Sequence, residues 1–435
     1  MSMSTRFACF TRKAQQATTQ FTALMGLLSN PVELADSFQR LKDKAPGVDG
    51  VRKADYAVGI EGKLKSLSTR LRQLAYRPQP VRRVYIPKGR KEKRPLGIPA
   101  FEDRIVQDRL SRILQTIWEP EFLDCSYGFR PGRNAHQALR RVAQIITYEQ
   151  TQFVVDADIK GFFDHVDHDW MMRFIGHRIN DPTFQRIIHR FLKAGVMEDG
   201  VVKACEEGTP QGGLVSPVLA NIYLHYVLDL WFEKRFARSC SGKAYLVRYA
   251  DDLVVCCQSE LAAHQFVEAV KERLAKFGLE LSMEKTRILR FGNGAEKHCH
   301  REGDQRPKTF DFLGFTHYVS TSRSGRFKVG RKTARGRFAK KLAALNVRMS
   351  QMRLLGGKAM MEYFIMHVRG HYQYYGVSDN MRSLRRYYDA ASRILFKWLN
   401  RRSQRRSVRW ECFRDILIRE TPRPRIVHNF YPLYA

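Results

Sequence analysis

Two runs of β-forming residues organise the pattern of apolar and polar positions. VVDADIKGFFD at 154–164 is an apolar run that carries aspartates towards its end, and VRYADDLVV at 247–255 is split by a pair, Asp251 and Asp252, between two apolar half-strands. The second pattern predicts a strand–turn–strand hairpin with the acidic pair at its tip, beside the aspartate of the first strand. Between them, EGTPQGGLVSPVLANIYL at 207–224 reads as a loop shaped by Gly-Gly and two prolines, opening into an amphipathic helix with Ser216 as N-cap and Pro217 in the first turn. Helical periodicity is also present around 169–194 and 260–278. After the basic, glycine-punctuated stretch GRFKVGRKTARGRFAKK, it returns over about 333–352, 357–375 and 379–402.

An aspartate pair in a turn is ordinarily a solvated pair. Carboxylates gathered from separate strands are different, because neighbouring like charges raise each other's pKa. A hard divalent cation relieves such a cluster, and Mg²⁺ bound through one or two carboxylates plus substrate phosphates suits it.

The order DIKGFFD, TPQGG with SPVLANIYL, then YADD resembles the palm of a reverse transcriptase, specifically of the group II intron-encoded reverse transcriptases and maturases. The resemblance extends upstream through APGVDGV at 45–51, YRPQPVRRVYIPKGRKEKRPLGIPAFEDRIVQ at 76–107 and SYGFRPGRNAHQAL at 126–139, and downstream through LSMEKTRI at 281–288 and FDFLGF at 310–315. YADD alone is a weak signal; the blocks in family order are a strong one. The resemblance implies an α+β fold of right-hand polymerase architecture. It places an N-terminal extension at 1–44, fingers at 45–150, and a palm at 151–322 with an antiparallel sheet covered by helices. Within that palm range, 170–206 belongs to the fingers, and an α-helical thumb or maturase X domain with a short basic tail follows at 323–435.

Carried over position by position, the resemblance gives Asp158, Asp251 and Asp252 the catalytic role, with Asp158, Asp251 and the carbonyl of Ile159 as ligands to two Mg²⁺ ions, for which Mn²⁺ can substitute. Asp156 and Asp164 flank the site and are not counted among the ligands; for Asp156, on the same strand face as Asp158, a supporting role and ligation are equally open. Tyr249 would lie beside the primer terminus. Phe163 matches the bulky gate that rejects the ribose 2′-hydroxyl, while Phe162 is left to core packing. Gln211 would lie along the incoming nucleotide, and Lys88 and Arg94 would clamp its phosphates, Arg94 first because arginine meets phosphate bidentately. In the C-terminal region, Gly370, Tyr374 and Tyr375 match the X-domain signature, and Arg401, Arg402, Arg405 and Arg406 are expected on nucleic-acid backbone. Helical aromatics such as Phe364, Tyr372 and Tyr375 are more often core than contact.

Composition supports this reading. Lysine and arginine number 76 against 43 acidic residues, a net charge of +33, which points to a polyanion bound through its phosphates. No apolar run is long enough to span a bilayer. Eight cysteines without paired spacing argue against a disulfide framework or a zinc ribbon, and His298-Cys299-His300 has adjacent rather than spaced ligands. The first 32 residues lack acidic side chains, as in a mitochondrial transit peptide and also as in the family's template-holding extension. The expected location is cytoplasmic, in a ribonucleoprotein, with an organellar matrix as the alternative. The expected partners are group II intron RNA, an RNA template with a DNA primer, deoxynucleoside triphosphates and target DNA, and no membrane. The segment ETPRPRIVHNFYPLYA leaves no room for an HNH-type nuclease, so the endonuclease-lacking form is expected. The function implied is an RNA-directed DNA polymerase that also binds its intron RNA to assist splicing and retromobility. The alternatives are a host-adopted relative in defence or repair, and a splicing maturase with little polymerase activity.

Overall fold

The computed structural model describes all residues except 1–9, 17, 89–91, 199–200, 204–206, 209–211, 302, 304, 323, 402–407 and 432–435, together with the side chains of Pro87, Lys88 and Glu92. Gln211, Arg402, Arg405, Arg406 and the side chain of Lys88 therefore lie outside the described residues. The chain forms two compact units. The first comprises Met1–Ala135, Ala157–Leu253 and His264–Thr286; the second comprises His136–Asp156, Val254–Ala263 and Arg287–Ala435.

The fold is α+β, as expected. Its first sheet begins with a hairpin of β1 (Val81–Lys88) and β2 (Glu92–Ile98), paired antiparallel with Ile86 opposite Arg94. β3 (Phe153–Lys160) belongs to another sheet. The stretch 170–206 ends in a second hairpin, β4 (Val196–Glu198) and β5 (Val201–Lys203), which joins the first sheet where Val196 runs parallel to Val81. The second sheet has the order β6 (Ala244–Tyr249), β7 (Asp252–Cys257), β3 and β8 (Glu280–Leu281), with β9 (Arg287–Arg290) also pairing with β3. β3 and β7 contribute residues to both units.

In the first unit, helix Phe101–Trp118 is the core element. Phe101, Ile105, Leu110, Ile113, Leu114 and Trp118 are buried against helices Pro31–Arg40 and Ser216–Leu224, and Asp103, Arg104 and Arg109 are buried with them. Each such apolar side chain contributes roughly 1.5–3 kcal/mol. The segment before residue 22 is tied down by Arg178, which donates to the carbonyls of Ala14, Gln16 and Thr19.

Two sequence expectations need correcting here. Ser216 is not an N-cap: Val215 already has helical backbone (φ −85°, ψ −25°), so Ser216 is the first helical residue and no side chain caps the helix. Nor is the helix amphipathic, since Val218–Leu224 are all buried. It continues through two π-helical turns, His225–Asp229 and Phe232–Phe236, into Ala237–Ser239.

The second unit carries the three-stranded sheet β10 (Phe310–Phe312), β11 (Phe315–Thr321) and β12 (Phe327–Thr333), followed by helices Arg335–Met352, Gly357–Tyr375, Met381–Leu399 and Trp410–Glu420. β12 occupies the basic, glycine-punctuated stretch. Phe364, Tyr372 and Tyr375 are buried among Leu345, Met349, Leu384 and Tyr387, so they pack the unit's core. His371 stacks on Tyr387 at 3.6 Å, and burial holds its imidazole down to about 3. His298, Cys299 and His300 lie in the helix Ala295–Arg301, and Cys256 and Cys257 are buried in β7. No described helix is long and apolar enough to cross a membrane.

Candidate active site

The site lies in the first unit, at the end of β3 and the β6–β7 turn. β-branched and apolar residues commit β3 to the sheet, and its alternation leaves Asp158 half-buried beside the buried Ala157 and Ile159. Ile159 sits opposite Leu281 on β8, and the Asp158 carbonyl accepts from Ser282 N at 2.8 Å. The hairpin turn is Ala250–Asp251, so Asp251 is at the tip, half-buried, and Asp252 opens β7, exposed. Ala250 has φ 56°; a non-glycine residue in this left-handed region costs about 1–2 kcal/mol and persists only where its surroundings hold it.

Four charged groups share one electrostatic neighbourhood. The Asp251 carboxyl is raised above the usual carboxylate range, first by burial; its own backbone N–H opposes the shift, the negative charge of Asp158 adds to it, and the cations Arg94 and Lys285 work against it. Lys285 is ion-paired with Asp158. Arg94 is exposed on β2 of the β1–β2 hairpin, and its charge is felt at the acidic turn. Asp156 pairs with Arg287 at 2.8 Å in the second unit.

Beyond the end of β3, a 3₁₀ turn spans Phe162–Asp164. Phe162 is buried, with its ring 6.3 Å from that of Tyr223, whereas Phe163 is half-exposed and edge-on to Phe162 at 5.2 Å. For packing, this is the division of labour that the sequence predicts. The loop holding Gln211 is described at both flanks. Gly208 N donates to Val166 O at 2.8 Å, and Leu214 N donates to Gln107 Oε1 at 2.8 Å. Gly212, at φ +117°, lies so near β2 that a Cβ there would come within 2.4 Å of the Gly97 carbonyl oxygen. The described flanks thus lie against the Phe163 turn, at Gly208, and against the strand of Arg94, at Gly212. Tyr249 is half-buried, its ring 6.4 Å from that of the exposed Phe129. Arg401 is exposed at the end of its helix, its guanidinium 5.7 Å over the Trp398 ring.

Asp158, Asp251 and the Ile159 main chain offer hard oxygen donors, and a carboxyl raised by burial and by a neighbouring negative charge, as Asp251 is, fits a divalent cation. Among the described residues no group of three or more His, Cys, Asp or Glu side chains is gathered to hold a metal. The remaining coordination would come from substrate phosphate and water.

Four participants are not evident from the sequence. Lys285 is visible there only as part of LSMEKTRI; its signal is a cation in a block that must meet uncompensated carboxylates. Phe129 gives no signal beyond its place in SYGFRPGR. Arg248 and Asp229 form an ion pair with no exposed side-chain surface. The hint is an arginine within an otherwise apolar strand, whose partner is the only acid between residues 216 and 232.

This geometry agrees with the chain's similarity to known proteins. The family model for reverse transcriptase (RNA-dependent DNA polymerase) matches residues 86–317. The chain is 34% identical over 380 residues to Protein YkfC of Escherichia coli (strain K12), covering 77% of this chain and 94% of that protein. It is 41% identical over 217 residues to group II intron-encoded protein LtrA of Lactococcus lactis subsp. cremoris, covering 48% of this chain but 36% of LtrA. It is 33% identical over 95 residues to nuclear intron maturase 1, mitochondrial, of Arabidopsis thaliana, covering 22% of this chain and 13% of that protein.

Proposed function

This chain belongs to the group II intron-type reverse transcriptases, and we propose that it is an RNA-directed DNA polymerase extending a DNA primer on an RNA template. The observation that carries the reading is the electrostatic grouping of Asp251 and Asp158 with Arg94 and Lys285 at the hairpin turn. Asp158 and Asp251, with the Ile159 carbonyl, would hold paired Mg²⁺, which when bound supplies an activated primer hydroxyl and charge neutralisation of the leaving pyrophosphate. Arg94 would meet the triphosphate, with Lys88 of the same hairpin as a second cation. Gln211 would contact the nucleotide from the loop anchored by Gln107 and Gly212. Phe163, half-exposed beside a buried neighbour, would exclude the 2′-hydroxyl, and Tyr249 would support the primer end.

Similarity to LtrA and to an intron maturase, together with the net charge of +33, supports binding of group II intron RNA and assistance to its splicing and mobility, with target DNA as a further partner. The basic residues around Arg401 would serve that binding.

The test is extension of a DNA primer annealed to RNA, with deoxynucleotides and Mg²⁺. Product is expected with the wild type and none with Asp251→Ala; equal extension by the two would remove the site assignment. Gel-shift binding of intron RNA, with a scrambled RNA of equal length as control, tests the second part.

A further inference from the structure

The turn that carries Asp251 is held by a buried polar network that none of these roles uses. Arg248 employs all five of its guanidinium N–H groups. Nε donates to Asp229 Oδ1 at 2.7 Å, Nη2 to Asp229 Oδ2 at 2.6 Å and Ser126 Oγ at 2.8 Å, and Nη1 to Asn221 Oδ1 at 3.1 Å and the Ala250 carbonyl at 3.0 Å. Its main chain is fixed as well, with N–H donating to Cys125 O at 2.8 Å and the carbonyl accepting from Tyr127 N at 2.9 Å. Asn221 Nδ2 donates to the Gly128 carbonyl at 2.8 Å. Gly128 itself abuts the turn, since a Cβ there would fall 2.4 Å from Ala250 N. A closed circuit results: Arg248 to Asn221, Asn221 to Gly128, Gly128 against the nitrogen of Ala250, and the oxygen of Ala250 back to Arg248.

The helix that supplies two members is wound to fit. Eight residues of regular α-helix would leave Asn221 and Asp229 about 80° apart in azimuth. The π-helical turn His225–Asp229 rotates less per residue, closing part of that gap, and π turns recur at functional sites.

We propose that Arg248, with Asp229 and Asn221, is a positioning unit that fixes the Ala250–Asp251 turn so that the Asp251 carboxylate is presented to the nucleotide-transfer site. This rests on the polymerase reading above. Stability alone is a poor account of the network, because a buried ion pair is commonly replaceable by apolar side chains of similar volume without loss. What apolar side chains lack is the directional bond to the Ala250 carbonyl, in a residue whose left-handed backbone needs external support.

The deciding experiment compares the wild type with Arg248→Met, the double variant Arg248→Met/Asp229→Leu, and Asn221→Ala, which removes no charge. Thermal unfolding, binding of primer–template duplex, single-nucleotide incorporation and amide exchange over 247–253 are measured for each. The double variant is expected to regain the melting temperature lost by Arg248→Met and to bind duplex as the wild type does. It should still incorporate nucleotide about 10²-fold more slowly, the scale of a misplaced reactive group, with faster exchange at the turn. Asn221→Ala should show the same pattern, less strongly. If incorporation returns together with stability in the double variant, or exchange over 247–253 is unchanged in folded variants, the positioning role is overturned. Should the wild type itself incorporate nothing, the polymerase reading falls, while the exchange measurement still decides whether the network holds the turn.

Discussion

Two ion pairs serve the candidate site, and they are built on opposite terms. Arg248 and Asp229 have no exposed side-chain surface, and every donor of the guanidinium is engaged. Lys285 and Asp158 are 58% and 22% exposed, and the lysine is a flexible point charge on a long stem. The Arg248 guanidinium stays protonated, since Asp229 outweighs the burial that opposes its charge. The buried pair is thus a frame that must not move, and the open pair is an arrangement that can exchange partners when a substrate arrives. Rigidity sits behind the reactive carboxylates and adaptability in front of them.

The comparison breaks most severely at the carboxylate both pairs serve. Asp251→Ala should lower primer extension by at least about 10³-fold, the scale on which metal-assisted charge stabilisation operates, as read by product length on a denaturing gel. Next, the two pairs should separate by stability. Arg248→Met leaves Asp229 buried without its partner and should cost about 3–5 kcal/mol in denaturant unfolding. Lys285→Ala should cost no more than about 1 kcal/mol while slowing incorporation; equal losses of stability would erase the distinction between frame and adaptable pair.

Selectivity is a smaller effect. Phe163→Val should raise incorporation of ribonucleotides relative to deoxynucleotides by about tenfold, measured as the ratio of the two kcat/KM values. An unchanged ratio would return Phe163 to a packing role.

The smallest effect concerns Asp103, a buried carboxyl without a cation. Tyr76 hydroxyl and Gln79 N donate to it, but burial raises its pKa from the usual 3.8 to about 7. A pKa raised on folding favours the protonated form, so this group's contribution to stability is fully present below about pH 4 and is lost as pH rises through about 7. The melting temperature of the wild type relative to Asp103→Asn should therefore fall by a few degrees, roughly, between pH 5 and pH 8. A constant difference would show that hydrogen bonds alone suffice where Asp229 has an arginine.

Much of this arrangement is legible in the amino-acid sequence. Runs of Val, Ile and Tyr mark β3, β6 and β7, and interruption by Asp251-Asp252 marks the turn, because alternation and apolar runs report strand burial directly. The contrast between Phe162 and Phe163 follows instead from the resemblance, which puts the family's gate at Phe163. Other features leave no local trace. Ser216-Pro217 has the composition of a helix start, but Val215 enters helical backbone first, a matter of loop trajectory rather than residue type. The π turns after Leu224 have no composition of their own, so the pattern does not carry the helix on to Asp229. β12 is hidden by its lysines and arginines, which occupy a strand whose Val329, Gly330 and Arg331 are buried. The buried ion pair leaves only a hint, an arginine in an apolar strand, because its members are 19 residues apart in chain order.

The interleaving of the two units along the chain has a practical corollary. Each gathers three separate stretches of polypeptide, the first ending with His264–Thr286 and the second beginning with His136–Asp156. No single scission can separate the two: a cut after Thr286 keeps every stretch of the first unit in one fragment but carries two stretches of the second away with it. Proteolytic nicking or splitting of the gene at one point would therefore leave at least one unit divided between fragments, to be restored only when they reassociate.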